Sequence, residues 1–446
     1  MNRSRKSVIV VVLLMSVARK AVGTGQSTDE AVPAMLTLPE AEDIFLTRGL
    51  DLLIAQFGAE GAEGDLRAAG AHPNPGVDLS VLYTPPLNHG VIYPLTPPAV
   101  VPSSLFGFGV GLNDNALLED QLSGKRSLRI ETASKALATA KLNVADVKRV
   151  ELTQLRQAYA ATVMARLNVE AAQDSFETFD KQLTLNRTRY DAGAINGLDL
   201  SRATQAQLEA LQTLDQAKNG LQQAMASLMF LLGVRGGVPE VTLTSGIGYA
   251  ELPRLTSATV ASLDGVALEN RTDVKIAVNN LEQAEVVVRQ AKRARLPDIA
   301  LTLGYSEQCS NTSCNSQPTF NAGLQGNVPV FYQQQGEIKR AQSNVLAAER
   351  NVDKVKAQVL SDVTQAFASY RAVRSQVERM EGKLLEQAKV SRDLAQVMYQ
   401  KGAASFIDFM DAQRQFVASR LEYNQDLANY WSAVYLLEQA TATVLR

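Results

Sequence analysis

Histidine, cysteine and tryptophan are nearly missing from this 446-residue chain, which holds two His, two Cys and one Trp. With so few, no C-x-x-C or H-E-x-x-H metal motif is formed, and no motif pairs His72 or His89 with a serine or cysteine nucleophile. P-loop and G-x-G-x-x-G sequences are absent as well. An enzyme, a metal site and a cofactor are therefore not expected. Strong charge of one sign is also lacking. The formal net charge is −2 and the lysines and arginines form no basic stripe, which excludes an electrostatic footprint for nucleic acid. Past the N-terminus no apolar run reaches the ~18 residues that a membrane-spanning helix needs. Any passage through a bilayer must then be made by β-strands.

What the chain does have is one stretch that occurs twice. The first copy reads Tyr190-Asp-Ala-Gly193-Ala-Ile-Asn196-Gly-Leu-Asp199-Leu-Ser-Arg202-Ala203. The second reads Tyr399-Gln-Lys-Gly402-Ala-Ala-Ser405-Phe-Ile-Asp408-Phe-Met-Asp411-Ala412, at a constant offset of 209 residues. In each, a helix runs into the Tyr, the Gly supplies a positive φ that ends it, and Asn196 or Ser405 takes an N-cap position with Asp three residues on. Each copy thus predicts a sharp helix–turn–helix reversal. The helix before the first turn carries Leu155, Thr162, Val169, Phe176, Leu183 and Tyr190 at seven-residue spacing, beside Ala158, Ala165, Ala172 and Phe179. The helix after it carries Leu200, Leu214, Leu221 and Leu228 beside Ala203, Ala210, Ala217 and Ala224. Heptad spacing with one column of small residues predicts closely packed, supercoiled antiparallel helices.

In chain order, Arg3, Arg5 and Lys6, an apolar run from Val8 to Val17, and Ala21-Val22-Gly23 read as a signal peptide over 1–23. Residues 24–70 read as a linker and a helix, with Leu38 to Ala69 helical and broken near Gly58 and Gly61. In 71–118, Val77 to Tyr83 alternates with period two, and Phe106-Gly-Phe108-Gly-Val110-Gly-Leu112 sets large apolar groups on one face against glycines on the other. The pattern returns in 296–332, first from Pro297 to Tyr305, then from Phe320 to Val330 with Ala322, Leu324 and Val328 on one side. Between those two runs Cys309 and Cys314 lie in a polar loop, where an exported chain most simply forms a disulfide. A metal pair is the weaker alternative, since no further ligand is near in sequence. Long helical hairpins fill 119–240 and 333–446, with a helical segment over 241–295 between them. Helices continuous from Arg126 to Tyr190 and from Gly336 to Tyr399 would each run roughly 95–100 Å at ~1.5 Å per residue. Strands of about ten residues suit a tilted bilayer crossing, and Gly, Thr, Ser and Asn on their other face suit a wet interior. Four strands cannot close a barrel, so several chains must share one.

The doubled Y-x-x-G-x-x-x-x-x-D turn, the strand pairs entered through Pro75 and Pro297, and the helix starts Ser123-Gly-Lys-Arg126 and Gln335-Gly-Glu-Ile-Lys339 resemble the TolC-type outer membrane efflux family. The resemblance covers the whole mature chain. Ala71-His72-Pro73-Asn74-Pro75, Ser123 to Arg126 and Gln334 to Ile338 most resemble its CzcC-like branch, which serves heavy-metal cation exporters; some drug-pump channels share these features. The resemblance implies a mainly α fold with a small β part, built as two tandem repeats, each a strand pair plus long antiparallel coiled-coil helices. It implies a homotrimer, whose twelve strands form a β-barrel in outer-membrane lipid, continued by a periplasmic α-helical barrel. Such a trimer is a passive exit duct that docks a periplasmic adaptor (membrane fusion protein) and an inner-membrane pump of the RND type.

Onto this sequence the resemblance carries the adaptor-facing tips to Tyr190, Gly193, Tyr399 and Gly402, the glycines being helix C-caps as well. It carries a ring of carboxylates at the periplasmic aperture to Asp408 and Asp411. Asp408 has a second reading as a capping-box partner of Ser405, which Asp199 after Asn196 supports; at the position of Asp411 the first copy has Arg202. The family's latch arginine is replaced by Ala404. Tyr83 and Tyr305 fit an aromatic girdle or ordinary strand positions. A periplasmic adaptor would have one hairpin where this chain has two, and a soluble coiled-coil scaffold would leave the Phe106 to Leu112 face without a use.

Overall fold

In the computed structural model the described residues are 32–85, 105–114, 123–237, 239, 241–244, 248–310 and 318–445. The signal-peptide reading of 1–23, His89, Cys314 and the side chain of Cys309 lie outside them, so the disulfide reading does too. The first repeat comprises β1 (Met35–Leu36), α1 (Leu38–Arg48), α2 (Leu50–Gly70), β2 (Gly76–Thr84), β3 (Leu105–Asn113), α3 (Lys125–Asp191) and α4 (Gly197–Leu231). Next come β4 (Thr242–Leu243), α5 (Pro253–Thr256), α6 (Val260–Asn270) and α7 (Thr272–Arg293). The second repeat then runs through β5 (Asp298–Ser310), β6 (Thr319–Asn327), α8 (Gln335–Arg379), a π-helical turn (Met380–Leu384), α9 (Leu385–Gln400) and α10 (Phe406–Thr441).

The four long strands form one antiparallel sheet in the order β2-β3-β5-β6. The helices that adjoin them repeat that order, since α2 packs on α3, α3 on α7 and α7 on α8. Each strand is thus continued by a helix of the same wall. Period-two alternation gives the sheet two different faces. Val77, Leu79, Val81 and Tyr83 stand opposite Leu112, Val110, Phe108 and Phe106, and Val110 and Leu112 stand opposite Tyr305 and Leu303. Leu301 and Tyr305 in turn meet Leu324 and Phe320. Most of these side chains are exposed, Leu79 by 73% and Phe320 by 79%. The other face carries Asp78, Ser80, Thr302, Ser306 and Asn321, lying against glycines: a Cβ on Gly109 would sit 2.6 Å from Ser80 Oγ. Glycine there lets a polar side chain lie across the sheet.

The second strand pair is shifted from its expected limits. β5 continues to Ser310 because β3 offers it partners as far as Leu105, so Cys309 sits in a strand with its backbone opposite Phe106 and not in a loop. β6 stops at Asn327, leaving Val328 and Val330 exposed beyond its end.

Helix breaks also fall elsewhere than expected. α2 runs unbroken through Gly58 and Gly61, and the chain breaks at Gly49. Any Cβ on Gly49 would lie 2.6 Å from the Phe45 ring, whereas Gly58 and Gly61 face open space. Each glycine in α2 costs about 1 kcal/mol of helix propensity, which packing along α3 offsets. The end of α2 is closed by α3: Arg126 donates to the Gly70 carbonyl, and Arg129 Nε to that of Ala69 at 3.1 Å. These are orphan carbonyls of the last turn.

α3 is a single helix of 67 residues, roughly 100 Å long. Its predicted columns face inward over most of their length: Leu155, Thr162, Ala165, Ala172, Phe179 and Leu183 are buried and Ala158, Val169 and Phe176 half-buried, while Tyr190 at the end is exposed. On α4, Ala203, Ala210, Leu214 and Leu228 are buried and Leu200, Ala217, Leu221 and Ala224 half-buried. Its counterpart in the second repeat is not one continuous α-helix. The π-turn at Met380–Leu384 separates α8 from α9, and there the Tyr423 hydroxyl of α10 donates to Glu381. One core joins Leu36, Phe45, Leu155, Tyr159, Leu228 and Leu232; a second joins Val359, Val363, Tyr370, Tyr430 and Leu437 with Leu255 and Leu263.

Candidate functional site: the helical tips

Both reversals form as the doubled stretch requires. Gly193 and Gly402 each have φ 73°, and their N–H groups donate to the carbonyls of Tyr190 at 2.9 Å and Tyr399 at 3.0 Å. Ala194 and Ala403 then donate to Arg189 and Met398 at 2.8 Å, which satisfies carbonyls left by the ending helix. At the following N-cap, Asn196 Oδ1 accepts from the Asp199 N–H at 2.9 Å. Ser405 Oγ accepts from the Asp408 N–H at 3.2 Å, and the Asp408 carboxylate accepts in return from the Ser405 N–H at 2.9 Å and hydroxyl at 2.7 Å. Only the second turn closes this reciprocal box; Asp199 turns to Arg202 instead, at 3.5 Å. The two Ser405 bonds hold the Asp408 carboxyl below the usual aspartate range. Asp411 lies one turn further along α10 and is exposed.

The two tyrosines have opposite surroundings. Tyr190 is 45% exposed at the end of α3, and Tyr399 is 6% exposed. Tyr399 stacks on Phe409 with ring centroids 5.8 Å apart, lies 5.5 Å from Phe406, and donates its hydroxyl to Asn186 of α3. Arg189 caps it from outside, with its guanidinium carbon 5.1 Å from the ring centre. Phe179, Leu183, Ala203, Ala206, Phe406, Phe409 and Met410 complete this cluster, which fastens the second tip to the first hairpin. The doubled motif did not disclose that contact. Its signal was available outside the shared letters, since Phe406 and Phe409 stand where the first copy has Gly197 and Leu200. Three buried amides sit in the same helical ends with an unpaired atom each: Gln182 Oε1, Asn186 Nδ2 and Gln413 Oε1.

Among the described residues no group of three or more His, Cys, Asp or Glu is arranged to hold a metal ion, and no helix is long and apolar enough to cross a membrane. The sequence profile of the outer membrane efflux proteins matches residues 43–234 and 265–443. The chain belongs to that family. Among its relatives, the cobalt-zinc-cadmium resistance protein CzcC of Cupriavidus metallidurans is 23% identical over 72% of this chain and 74% of its own length. The cation efflux system protein CusC of Escherichia coli K12 is 25% identical over 70% of this chain and 68% of its own. The fold matches the outer membrane channel CmeC of Campylobacter jejuni with a TM-score of 0.75, covering 91% of this chain and 85% of that one at 18% identity. As a member of this family the protein resides in the outer membrane and acts in efflux.

Proposed function

We propose that this protein is the passive exit duct of a tripartite efflux system, and that three copies complete it. The observation that carries this reading is the open four-strand wall. Its two edge strands, β2 and β6, each have a partner on one side only among the described residues. An unpaired edge in lipid costs several kcal/mol per backbone group, so copies joined edge to edge, β6 of one beside β2 of the next, relieve it. Twelve strands follow from three copies. The edge helix α2 supports the same seam, with Ile54 and Phe57 67% and 63% exposed beside open space at Gly58, Gly61 and Gly64.

The apolar face of Leu79, Phe108 and Leu303 meets outer-membrane lipid, with Tyr83 and Tyr305 on it, and the polar glycine-lined face meets water. The helices extend into the periplasm. Their tips, with Tyr190, Gly193 and Gly402 exposed, face a periplasmic adaptor bound to an inner-membrane pump of the RND type, and Tyr399 holds the second tip in place from within. The cargo we assign is a heavy-metal cation, by analogy with CzcC and CusC. Asp411 is the carboxylate free to ring the aperture; Asp408 shares that ring only with the oxygen not committed to Ser405. No step of this function requires a catalytic residue, because the pump supplies the energy.

Planar-bilayer recording on the purified protein tests the reading. A small cation-selective conductance blocked by multivalent cations is expected, and Asp411→Asn should reduce both selectivity and block. A water-soluble monomer without conductance would refute the duct.

A further inference from the structure

We propose that the end of α7 nearest the sheet binds the headgroup of an anionic phospholipid in the membrane leaflet that faces the helices. The site is a groove of about 590 Å³ between the start of α3 and the end of α7. Arg289, Lys292, Arg293 and Arg295 line it, and Leu128 and Leu296 add apolar surface. Two of the cations are positioned by neighbours: Arg289 pairs with Glu131, and Arg295 Nε donates to the Gln333 carbonyl at 3.1 Å. A guanidinium has five N–H donors, so both keep donors for an anion. Lys292 and Arg293 are exposed and, among the described residues, make no side-chain hydrogen bond or ion pair. Their place in the last turn of α7 sets positive charge against the negative end of that helix. That effect does not account for Arg295, which lies beyond the helix, or for four cations converging on one groove.

Position decides the ligand. Pro297 and then β5 follow Leu296 directly, and Leu301 and Leu303 of β5 belong to the apolar face of the sheet. Through the bond from Arg295 to Gln333 the groove is tied to Phe331 and Tyr332, which are 99% and 52% exposed. Cations beside exposed aromatic rings at the border of an apolar band match the headgroup layer of a bilayer. A soluble anion would engage the cations alone, whereas a lipid also covers Leu296 and Phe331. The inference rests on reading the sheet as a membrane wall.

The full-length channel in neutral detergent is titrated with dioleoyl phosphatidylglycerol and with dioleoyl phosphatidylcholine, and native mass spectrometry follows the bound lipid. Retention of phosphatidylglycerol alone is expected. The double variant Lys292→Gln, Arg293→Gln should weaken it about thirtyfold, the loss of two surface cations. Lys275→Gln, exposed on the same helix outside the groove, should leave it unchanged. Equal retention by the double variant would overturn the site, and displacement of the lipid by an equal concentration of inorganic phosphate would make the occupant a soluble anion and overturn the lipid. Conductance of the double variant in a phosphatidylcholine bilayer should match that of the unaltered protein, so failure of the lipid site leaves the duct standing.

Discussion

The two hairpins share a backbone plan and differ in what their side chains do with it. Both ascending arms start from a residue in the left-handed region, Gly124 at φ 71° and Gln334 at φ 61°, and both turn at a glycine of φ 73°. The descending helices also end alike, at Gly233 with φ 74° and at Ala442 with φ 52°. Yet the first arm is one continuous helix and the second is interrupted by a π-turn, and the first tip exposes its tyrosine while the second buries it. A repeated sequence fixes turns, because glycine and a capping side chain act within a few residues. Which copy becomes the anchor is decided by residues outside the repeat.

The largest break in this comparison should come from the tyrosines. Tyr399→Ala removes a ring stacked on Phe409 and leaves Asn186, already short of one partner, without its remaining side-chain bond. Truncating a buried aromatic typically costs about 3–5 kcal/mol. Hydrogen exchange of the amides in 399–413 should rise accordingly, and Tyr399→Phe should recover most of the protection. Tyr190→Ala, at the equivalent exposed position, should change exchange at the first tip by less than about 0.5 kcal/mol. Equal effects at the two tips would mean that the second is not the anchor.

A smaller effect is expected where the descending helices end. Gly233 is irreplaceable on two counts: its φ, and a Cβ that would fall 2.6 Å from the Arg48 carbonyl oxygen. Gly233→Ala should destabilise the first hairpin by at least about 2 kcal/mol. At the matching position the second repeat tolerates Ala442, so Ala442→Gly relieves a left-handed alanine at the cost of chain entropy, for a net gain of about 0.5–1 kcal/mol. Thermal inactivation in detergent reads both, with opposite signs.

These contrasts also mark how far the sequence could be read. The turns, the heptad columns and the alternating strands were legible because each is written within one or two turns of chain. The break at Gly49 was not, since Gly58 and Gly61 have the same propensity and only the Phe45 ring, folded back over the backbone, separates them. The π-turn escaped for a similar reason: its partner, Tyr423, lies 42 residues away from Glu381. β5 outran its expected end because its length is set by β3, not by its own polar residues. At the tips the capping box of Ser405 and Asp408 was legible, while the contact from Tyr399 to Asn186 spans 213 residues and left no periodic trace.

The smallest expected difference lies in the two caps and depends on pH. Asp408 accepts two bonds from Ser405, its carboxyl is held below the ordinary aspartate value of 3.8, and its unfolded counterpart titrates higher. A depressed pKa stabilises the turn above the unfolded value, and that contribution is lost as pH falls through the folded one. Opening of the second tip, followed by exchange of the 405–409 amides, should therefore accelerate as pH falls below the ordinary aspartate value of 3.8. Ser405→Ala should bring opening forward about fivefold at neutral pH, the usual worth of an N-cap, and remove most of the acid step. Asn196 caps the first turn with an amide, which does not titrate. Asn196→Ala should thus cost a similar factor at the first tip while leaving the acid response of the second tip intact, and an acid step that survives Ser405→Ala would assign the titration to a carboxylate other than Asp408.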